Sequence, residues 1–232
     1  MTTRPACLGL ACLLWAAATA TAADRPYLVT NSAAAEEDEE QVWSVENWFR
    51  RAGSARSLTV APEYAFDPVN SLQVEFRRTL ERAGDNGHEI EVEYKHLFNR
   101  IARDGYGIGV VATLDYDRPA GGPWQRSGAS LSLPYSLQFA EGAGLLHLNL
   151  GIAKPRGARR DWTGTIAAER EVFRRTTLFA EAARDADGRL LHGGVRYWIR
   201  RERLAVDVAW QRLRSAATRG SGLVLGIAWY DL

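Results

Sequence analysis

Hydrophobic and polar residues alternate with a period of two along most of this chain. The clearest example lies near the C-terminus, where Leu204, Val206, Val208 and Trp210 alternate with small or polar residues. Successive side chains of a β-strand point to opposite faces, so this period predicts strands that each have one apolar face. Segments of about ten residues with this pattern recur from residue 41 onward, separated by turn residues. They predict an all-β fold of about twelve antiparallel strands.

The lengths of the connections indicate how such a barrel is oriented. An even number of strands returns both ends of the chain to one side, and outer-membrane barrels have short periplasmic turns and longer external loops. Even-numbered connections are mostly tight, as at residues 67–70 and 174–175, and odd-numbered ones are mostly longer, as at residues 118–126 and 155–161. The first connection, which is short, and the fourth, residues 99–105, which is long, are exceptions. The lengths favour an up-and-down barrel with both termini in the periplasm.

The direction of the apolar face distinguishes a membrane barrel from a soluble one, because a soluble antiparallel barrel turns its apolar face inward. Aromatic residues near the strand ends, such as Tyr64, Phe66, Tyr135 and Phe139, match the interfacial girdles of membrane barrels. The opposite face is rich in small residues and in charges of both signs, which suits a crowded lumen. We therefore expect an antiparallel up-and-down transmembrane β-barrel, with a soluble periplasmic β-barrel as the minor alternative.

The end of the chain resembles the terminal strand signal by which outer-membrane proteins are recognised for insertion. That signal finishes on an aromatic or apolar residue with another aromatic residue two places before it, and Leu232 and Tyr230 occupy these places. The usual terminal phenylalanine is absent, and Gly226 lies one place from the common glycine position. The resemblance implies that the barrel-insertion machinery binds this strand.

The N-terminus has the features of a secretory signal peptide. Arg4 precedes an apolar run at residues 6–19, and small residues follow up to Ala22. The run is too short to cross a bilayer as a helix, so we expect cleavage near Ala22 and export. The predicted parts of the chain are a signal peptide at residues 1–22, a periplasmic acidic N-terminal segment at residues 23–40 and the outer-membrane β-barrel at residues 41–232.

Composition and charge exclude several other functions. The hydrophobic share of 46% is too high for a disordered chain, and the net charge of +1 gives no field to attract nucleic acid. Both cysteines, Cys7 and Cys12, lie in the predicted signal peptide, so we expect no disulfide and no thiolate metal site in the exported chain. No glycine-rich phosphate loop leads from a strand into a helix. We expect no nucleic-acid partner and no cofactor.

The histidines give little support to catalysis. None of the four lies two residues before a serine, the arrangement that some outer-membrane lipid hydrolases use. His147 and Asn149 fall on the predicted lumen face, where a satisfied interior polar pair is a simpler interpretation than a catalytic pair. We therefore expect no enzyme activity, no catalytic residue and no metal site.

Charged residues on the polar face are candidates for the barrel interior. Neighbouring side chains on adjacent strands lie about 5 Å apart, so adjacent carboxylates repel unless arginine or lysine matches them. A narrow lumen filled by salt bridges is the favoured interpretation, and a polar pore with a cation-leaning wall is the alternative. The candidate lumen charges are Glu63, Glu75, Arg77, Glu89, Glu91, Glu93, Lys95, Asp115, Asp117, Glu169, Glu171, Glu181, Arg196, Arg200 and Asp207.

Two further charged segments lie outside the predicted strands. For the acidic residues 36–40 we expect a solvated periplasmic tail. The alternatives are that this run enters the lumen against Arg196 and Arg200, or that it holds a divalent cation. The other segment is a basic loop, which we expect to contact lipopolysaccharide phosphates, with simple solvation as an equal alternative. The candidate lipopolysaccharide contacts are Lys154, Arg156, Arg159 and Arg160.

Three short stretches resemble a group of outer-membrane proteins. They are LHLNLG at residues 146–151, EYKHLF at residues 93–98 and GVRYW at residues 194–198. They resemble uncharacterised proteobacterial outer-membrane barrels, which are similar to the transporter barrels grouped with the meta-pathway of phenol degradation. The resemblance implies a barrel and an outer-membrane address, and it supplies no catalytic residues.

These observations predict a barrel that passes small polar or aromatic solutes passively. A non-conducting barrel with a structural or surface-interaction role is the alternative, although short external loops favour a simple pore over an adhesin. The expected partners are outer-membrane lipids, lipopolysaccharide and the insertion machinery, and the oligomeric state is left open.

Overall fold

The computed structural model describes residues 34–52, 55–80, 87–184, 188–215 and 219–232. The predicted signal peptide, residues 1–22, lies outside the described residues, as do residues 23–33 of the acidic segment.

Twelve antiparallel strands of the described chain form a closed barrel, which confirms the predicted fold class. Each strand pairs with its neighbours in sequence, and pairing of the first strand with the last closes the wall. The strands are β1 (Val42–Ala52), β2 (Ala55–Asp67), β3 (Asn70–Leu80), β4 (Gly87–Leu97), β5 (Tyr106–Arg118), β6 (Gln125–Phe139), β7 (Gly144–Ala153), β8 (Asp161–Phe173), β9 (Thr176–Arg184), β10 (Gly188–Arg200), β11 (Leu204–Ser215) and β12 (Arg219–Trp229).

The apolar face of the wall points outward. In β6, for example, Leu131 and Leu133 are 54% and 55% exposed, whereas Pro134 and Ser136 between the outward residues are buried. A soluble barrel would bury these leucines against a core. The outward direction of the apolar side chains agrees with the expected membrane barrel and disagrees with the soluble alternative.

The two ends of the barrel differ in their connections. One end, called here the turn end, has the connections at residues 68–69, 98–105, 140–143, 174–175 and 201–203, and the start of β1 and the C-terminus also lie there. The opposite end, called the loop end, has the connections at residues 119–124 and 154–160. The predicted difference in length therefore holds for these connections, including the expected exception after β4.

A single turn of α-helix in the connection after β4 was not predicted from the sequence. This helix, α1 (Ile101–Asp104), ends at Gly105, whose φ of 75° suits a residue without a Cβ atom. A hydrogen bond from the Arg103 side chain lowers the pKa of the Asp104 carboxyl to about 2. Asn99 also donates to Asp104, at 3.2 Å, and so fastens the exposed side of the connection.

Aromatic side chains form a girdle on the outer surface of the turn end. Ring centroids lie 5.0 Å apart for Trp43 and Tyr64, 5.2 Å apart for Tyr64 and Phe66, and 6.2 Å apart for Tyr106 and Tyr135. Their strands begin or end there, so the rings lie at one height along the wall. This is the predicted placement of the aromatic residues.

Within the part of the chain that the structure describes, no helix combines the length and the apolar character needed to cross a bilayer.

Candidate functional site

The first described residues lie inside the barrel at its turn end. Residues 34–38 are all buried, and Ala35 and Glu37 have no exposed surface. Glu39 and Glu40, which follow, are exposed. The expected solvated tail is therefore wrong for residues 36–38, and the alternative that the acidic run enters the lumen describes them better. We call residues 34–38 the N-terminal segment.

The start of this segment lies against β5 and β6. The main-chain N–H of Ala35 donates to Ser136 Oγ at 2.8 Å. A Cβ atom added to Gly107 would lie 1.8 Å from the Ala35 carbonyl oxygen. Only glycine leaves room for this close approach of two backbones.

The acidic side chains of the segment bind hydrogen-bond donors and a countercharge that the alternation pattern does not predict. Glu37 accepts hydrogen bonds from the main-chain N–H groups of Ile101, at 2.7 Å, and Ala102, at 3.0 Å. Asp38 forms a salt bridge of 2.9 Å with the buried ammonium of Lys95. Lys95, rather than Arg196 or Arg200, is thus the countercharge of Asp38.

Lys95 links the segment to the wall. Its ammonium also lies 3.4 Å from a carboxylate oxygen of Glu63 on β2. Ser71 on β3 donates to the same oxygen at 2.5 Å. The buried Lys95 ammonium on β4 therefore lies between the carboxylates of Asp38 and Glu63. This is the kind of contact that the salt-bridged interpretation of the lumen requires.

A second network centred on Arg196 fills the opposite side of the lumen. The guanidinium is completely buried and donates to both carboxylate oxygens of Asp207, at 2.7 and 2.8 Å, and to the Tyr230 hydroxyl, at 2.8 Å. It lies 3.7 Å from Glu46, which accepts a hydrogen bond from the Tyr230 hydroxyl. The Trp198 and Tyr230 rings face it, at 5.6 and 5.7 Å from their centroids. This network joins β10, β11 and β1 to the C-terminal residues.

Arg200 does not belong to this network, and its predicted place in the lumen is wrong. The pairing of β10 with β11 shifts between Trp198 and Arg200, so that Arg200 pairs with Leu204. Ala205, the next residue on β11, is buried and points inward, so Leu204 points outward. The irregularity moves Arg200 onto the same outer face, where it is exposed.

An apolar cluster lies deeper in the lumen on the same side. Trp48, Ala61, Phe179, Ala209 and Val224 form one buried group on inward faces of β1, β2, β9, β11 and β12. We expected the inward faces of these strands to be polar. The buried rings of Trp48 and Phe179 therefore occupy part of the interior in addition to the predicted charges.

The wall formed by β3, β4 and β5 is acidic, and most of its carboxylates are half-buried in the half of the barrel near the loop end. Glu75, Glu91 and Asp115 lie side by side in the strand register. Arg77 pairs with Glu75 at 2.6 Å and with Glu89 at 2.8 Å. The remaining acidic candidates of β4 and β5, which are half-buried on the same faces, are Glu93 and Asp117.

Three candidates lie on β8 and β9. Glu169 and Glu181 are buried, and Glu181 lies 3.7 Å from the Nδ1 atom of His192. Glu171 is half-buried at the turn end and pairs with Arg201 at 3.2 Å.

His147 has partners that sequence reasoning missed. Its Nδ1 atom lies 2.8 Å from Ser136 Oγ, and its Nε2 atom lies 3.1 Å from Glu169 Oε1. Glu36 brings a third ligand atom, and the three ligand atoms of Glu36, His147 and Glu169 lie within 4.8 Å of one another. The Oδ1 atom of Asn149 is buried without a hydrogen-bond partner among the described residues, so His147 and Asn149 are not the satisfied pair that we expected.

The basic loop between β7 and β8 is exposed at the loop end. Lys154 donates to the Ala158 carbonyl oxygen and Arg156 donates to Gln125. Arg159 and Arg160 are exposed as well. Binding of lipopolysaccharide by these residues stays a prediction.

Comparison with known proteins supports the architecture. No protein-family model and no curated protein matches the chain. The KdgM porin in complex with disordered oligogalacturonate is similar with a TM-score of 0.61 and 12% identity, over 82% of this chain and 99% of that one. This chain has a porin-like barrel fold. The NanC porin is similar with a TM-score of 0.58 and 8% identity, over 82% of this chain and all of that one (100%). The resemblance to the meta-pathway barrels is not tested by these likenesses and stays a prediction.

Proposed function

We propose that this protein is an outer-membrane barrel that passes small polar or aromatic solutes when the N-terminal segment leaves the lumen. The observation that carries the proposal is the attachment of this segment. Its described contacts are hydrogen bonds and a salt bridge, to Ser136, α1 and Lys95. Water can replace such contacts, at a net cost of about 0.5–1.5 kcal/mol for a neutral hydrogen bond and about 1.5–3 kcal/mol for one to a charged group.

The outer surface supports the membrane location. Leu150 and Trp162 are 69% and 68% exposed, and exposed apolar side chains recur on the strands around the wall. An apolar band of this kind is stable in hydrocarbon and unfavourable in water. The aromatic girdle at the turn end suits the boundary between lipid tails and head groups.

The acidic wall supports a preference for cations over anions. Glu75, Glu91 and Asp115 line one face of the lumen toward the loop end. Rings or rows of carboxylates favour cations over anions in pores. A solute that enters from the loop end meets this wall before it reaches the N-terminal segment.

Planar-bilayer recording of the full chain and of a variant without residues 34–40 tests the proposal. We expect small or rare conductance steps from the full chain and larger, stable steps from the deletion variant. The double variant Glu39→Gln/Glu40→Gln alters only exposed carboxylates of the same run and should behave like the full chain. Equal conductance of the full chain and the deletion variant would contradict a blocking role.

A non-conducting structural barrel is the second candidate. The Arg196 network and the apolar cluster around Trp48 and Phe179 favour it, because both remain in the lumen when the N-terminal segment is removed. A deletion variant that folds, as shown by heat-modifiable mobility on a denaturing gel, and yet gives no conductance steps would support this candidate.

A further inference from the structure

Glu36, His147 and Glu169 form the one group of potential metal ligands found among the described residues. All three are buried, and they come from the N-terminal segment, β7 and β8. Their ligand atoms lie within 4.8 Å of one another. Zinc bonds of about 2.0–2.1 Å place ligands about 3.4 Å apart, so each atom has to move by only about 0.7 Å.

The carboxylate of Glu169 points to a missing ligand. Glu169 is 7% exposed, and its Oε2 atom is buried with no hydrogen-bond partner among the described residues. Its Oε1 atom lies 3.1 Å from His147 Nε2, and the described residues give it no lysine or arginine partner. A buried carboxylate oxygen without donor or countercharge is unfavourable, and a bound cation would satisfy it.

The surroundings of His147 fit metal coordination through Nε2. A histidine that binds a metal usually donates its other ring N–H to a fixed acceptor. His147 Nδ1 lies 2.8 Å from Ser136 Oγ, which also accepts the Ala35 N–H at 2.8 Å. A serine oxygen has two acceptor sites, so Ser136 can hold the ring and the segment together.

We propose that Glu36, His147 and Glu169 bind a divalent transition-metal ion of the zinc class, which fastens the N-terminal segment to the barrel wall. One imidazole nitrogen with carboxylate oxygens suits Zn²⁺ and related ions better than Ca²⁺ or Mg²⁺, which prefer oxygen ligands alone. Because Glu36 belongs to the segment and the other two ligands belong to the wall, the ion binds only while the segment is in the lumen. Metal binding therefore stabilises the closed arrangement. Its effect on solute passage rests on the proposed function, whereas the binding does not.

Isothermal titration calorimetry on the refolded full chain, stripped of metal with EDTA, tests the site with Zn²⁺ as the probe. We expect one Zn²⁺ per chain, and an affinity at least about tenfold weaker in Glu36→Gln and in Glu169→Gln. Glu36→Gln is the more specific of the two tests, because Glu36 lies outside the wall and its replacement does not disturb a strand. Glu39→Gln, an exposed carboxylate of the same run, should bind as the native chain does.

Two further controls separate this site from the other acidic residues. His192→Gln removes a buried histidine that lies beside Glu181 and the Phe179 ring and is not one of the three proposed ligands, and it should leave Zn²⁺ affinity unchanged. Mg²⁺ at the same concentration should give no comparable binding. Absence of Zn²⁺ binding, equal binding by Glu36→Gln, or equal binding of Mg²⁺ would overturn the proposal.

Cysteine labelling measures whether the ion fastens the segment. In a chain with Cys7 and Cys12 replaced by serine, Ala34→Cys places a thiol at the buried start of the segment. Zn²⁺ at 100 times its dissociation constant should slow labelling by a water-soluble maleimide about 100-fold, because the bound ion suppresses opening. The same chain with Glu36→Gln should be slowed at least about tenfold less, and it measures any slowing that comes from Zn²⁺ binding to the thiol itself. Unchanged labelling of the parent despite measured binding would overturn the fastening role, and it leaves the conductance test of the proposed function unaffected.

Discussion

Replacement of Arg196 by methionine is the most severe single test of the lumen network. Methionine keeps an apolar stem in this completely buried position and removes the guanidinium. The change removes two hydrogen bonds to Asp207, at 2.7 and 2.8 Å, and one to Tyr230, at 2.8 Å. It also leaves the buried carboxylates of Asp207 and Glu46 without the cation that they share.

The expected loss of stability follows from these contacts. Removal of one partner from a buried ion pair costs about 3–5 kcal/mol, because the remaining charge has neither a countercharge nor water. We therefore expect Arg196→Met to lower the free energy of unfolding by about 3–5 kcal/mol. Arg200→Met alters an exposed arginine on the same strand and should change the free energy of unfolding by less than about 0.5 kcal/mol.

Urea unfolding in phospholipid vesicles, followed by tryptophan fluorescence, measures this difference. In the double variant Arg196→Met/Asp207→Asn part of the loss should be recovered, because a neutral amide is cheaper to bury than an unpaired carboxylate. A loss below about 1 kcal/mol for Arg196→Met would contradict the argument from burial. Equal losses for Arg196→Met and Arg200→Met would contradict it as well.

Three further variants test the segment, the acidic wall and the basic loop. Gly107→Ala places a Cβ atom 1.8 Å from a main-chain oxygen of the N-terminal segment, so we expect bilayer conductance to rise toward that of the deletion variant. Its control is Gly164→Ala, whose Cβ atom would have no neighbour nearer than 3.6 Å and which should leave the conductance unchanged. Asp117→Asn, on the same acidic wall, removes about 0.8 kcal/mol of attraction for a cation about 5 Å away in water, so the cation-to-anion permeability ratio from reversal potentials should fall about fourfold or more, and an unchanged ratio would refute a selective wall. Arg159→Gln with Arg160→Gln should reduce copurified lipopolysaccharide, and undiminished lipopolysaccharide would mean that these arginines are only solvated.

The wall of the barrel could be predicted from the sequence because its pattern is local. Alternation along β11 depends only on the opposite directions of successive side chains, which every strand shares. The outward direction of the apolar face followed from aromatic residues such as Tyr64 and Phe66, which mark a membrane boundary at strand ends. These features need no knowledge of which residues face each other across the lumen.

The contents of the lumen could not be predicted in the same way. Ser136 faces His147 in the pairing of β6 with β7, and Glu169 reaches the same ring from β8, so the cluster depends on the register of three strands. A one-residue shift in the pairing of β10 with β11 places Arg200 on the outer face of the barrel. No turn residue in the sequence indicates where this shift occurs. The burial of Glu37 depends on α1, whose N–H groups become donors only once the connection after β4 has folded.

A cross-link between the N-terminal segment and the wall tests most directly whether this segment closes a conducting barrel. Ala35 and Ser136 are neighbours, because the Ala35 N–H donates to Ser136 Oγ at 2.8 Å. The test therefore uses Ala35→Cys/Ser136→Cys in a chain whose Cys7 and Cys12 are replaced by serine, with the disulfide verified by mass spectrometry before recording. Single-channel recording before and after addition of a reductant uses each protein molecule as its own control. We predict silence from the oxidised protein and conductance steps once the disulfide is reduced. Steps of equal size and frequency in the oxidised and reduced states would contradict the account.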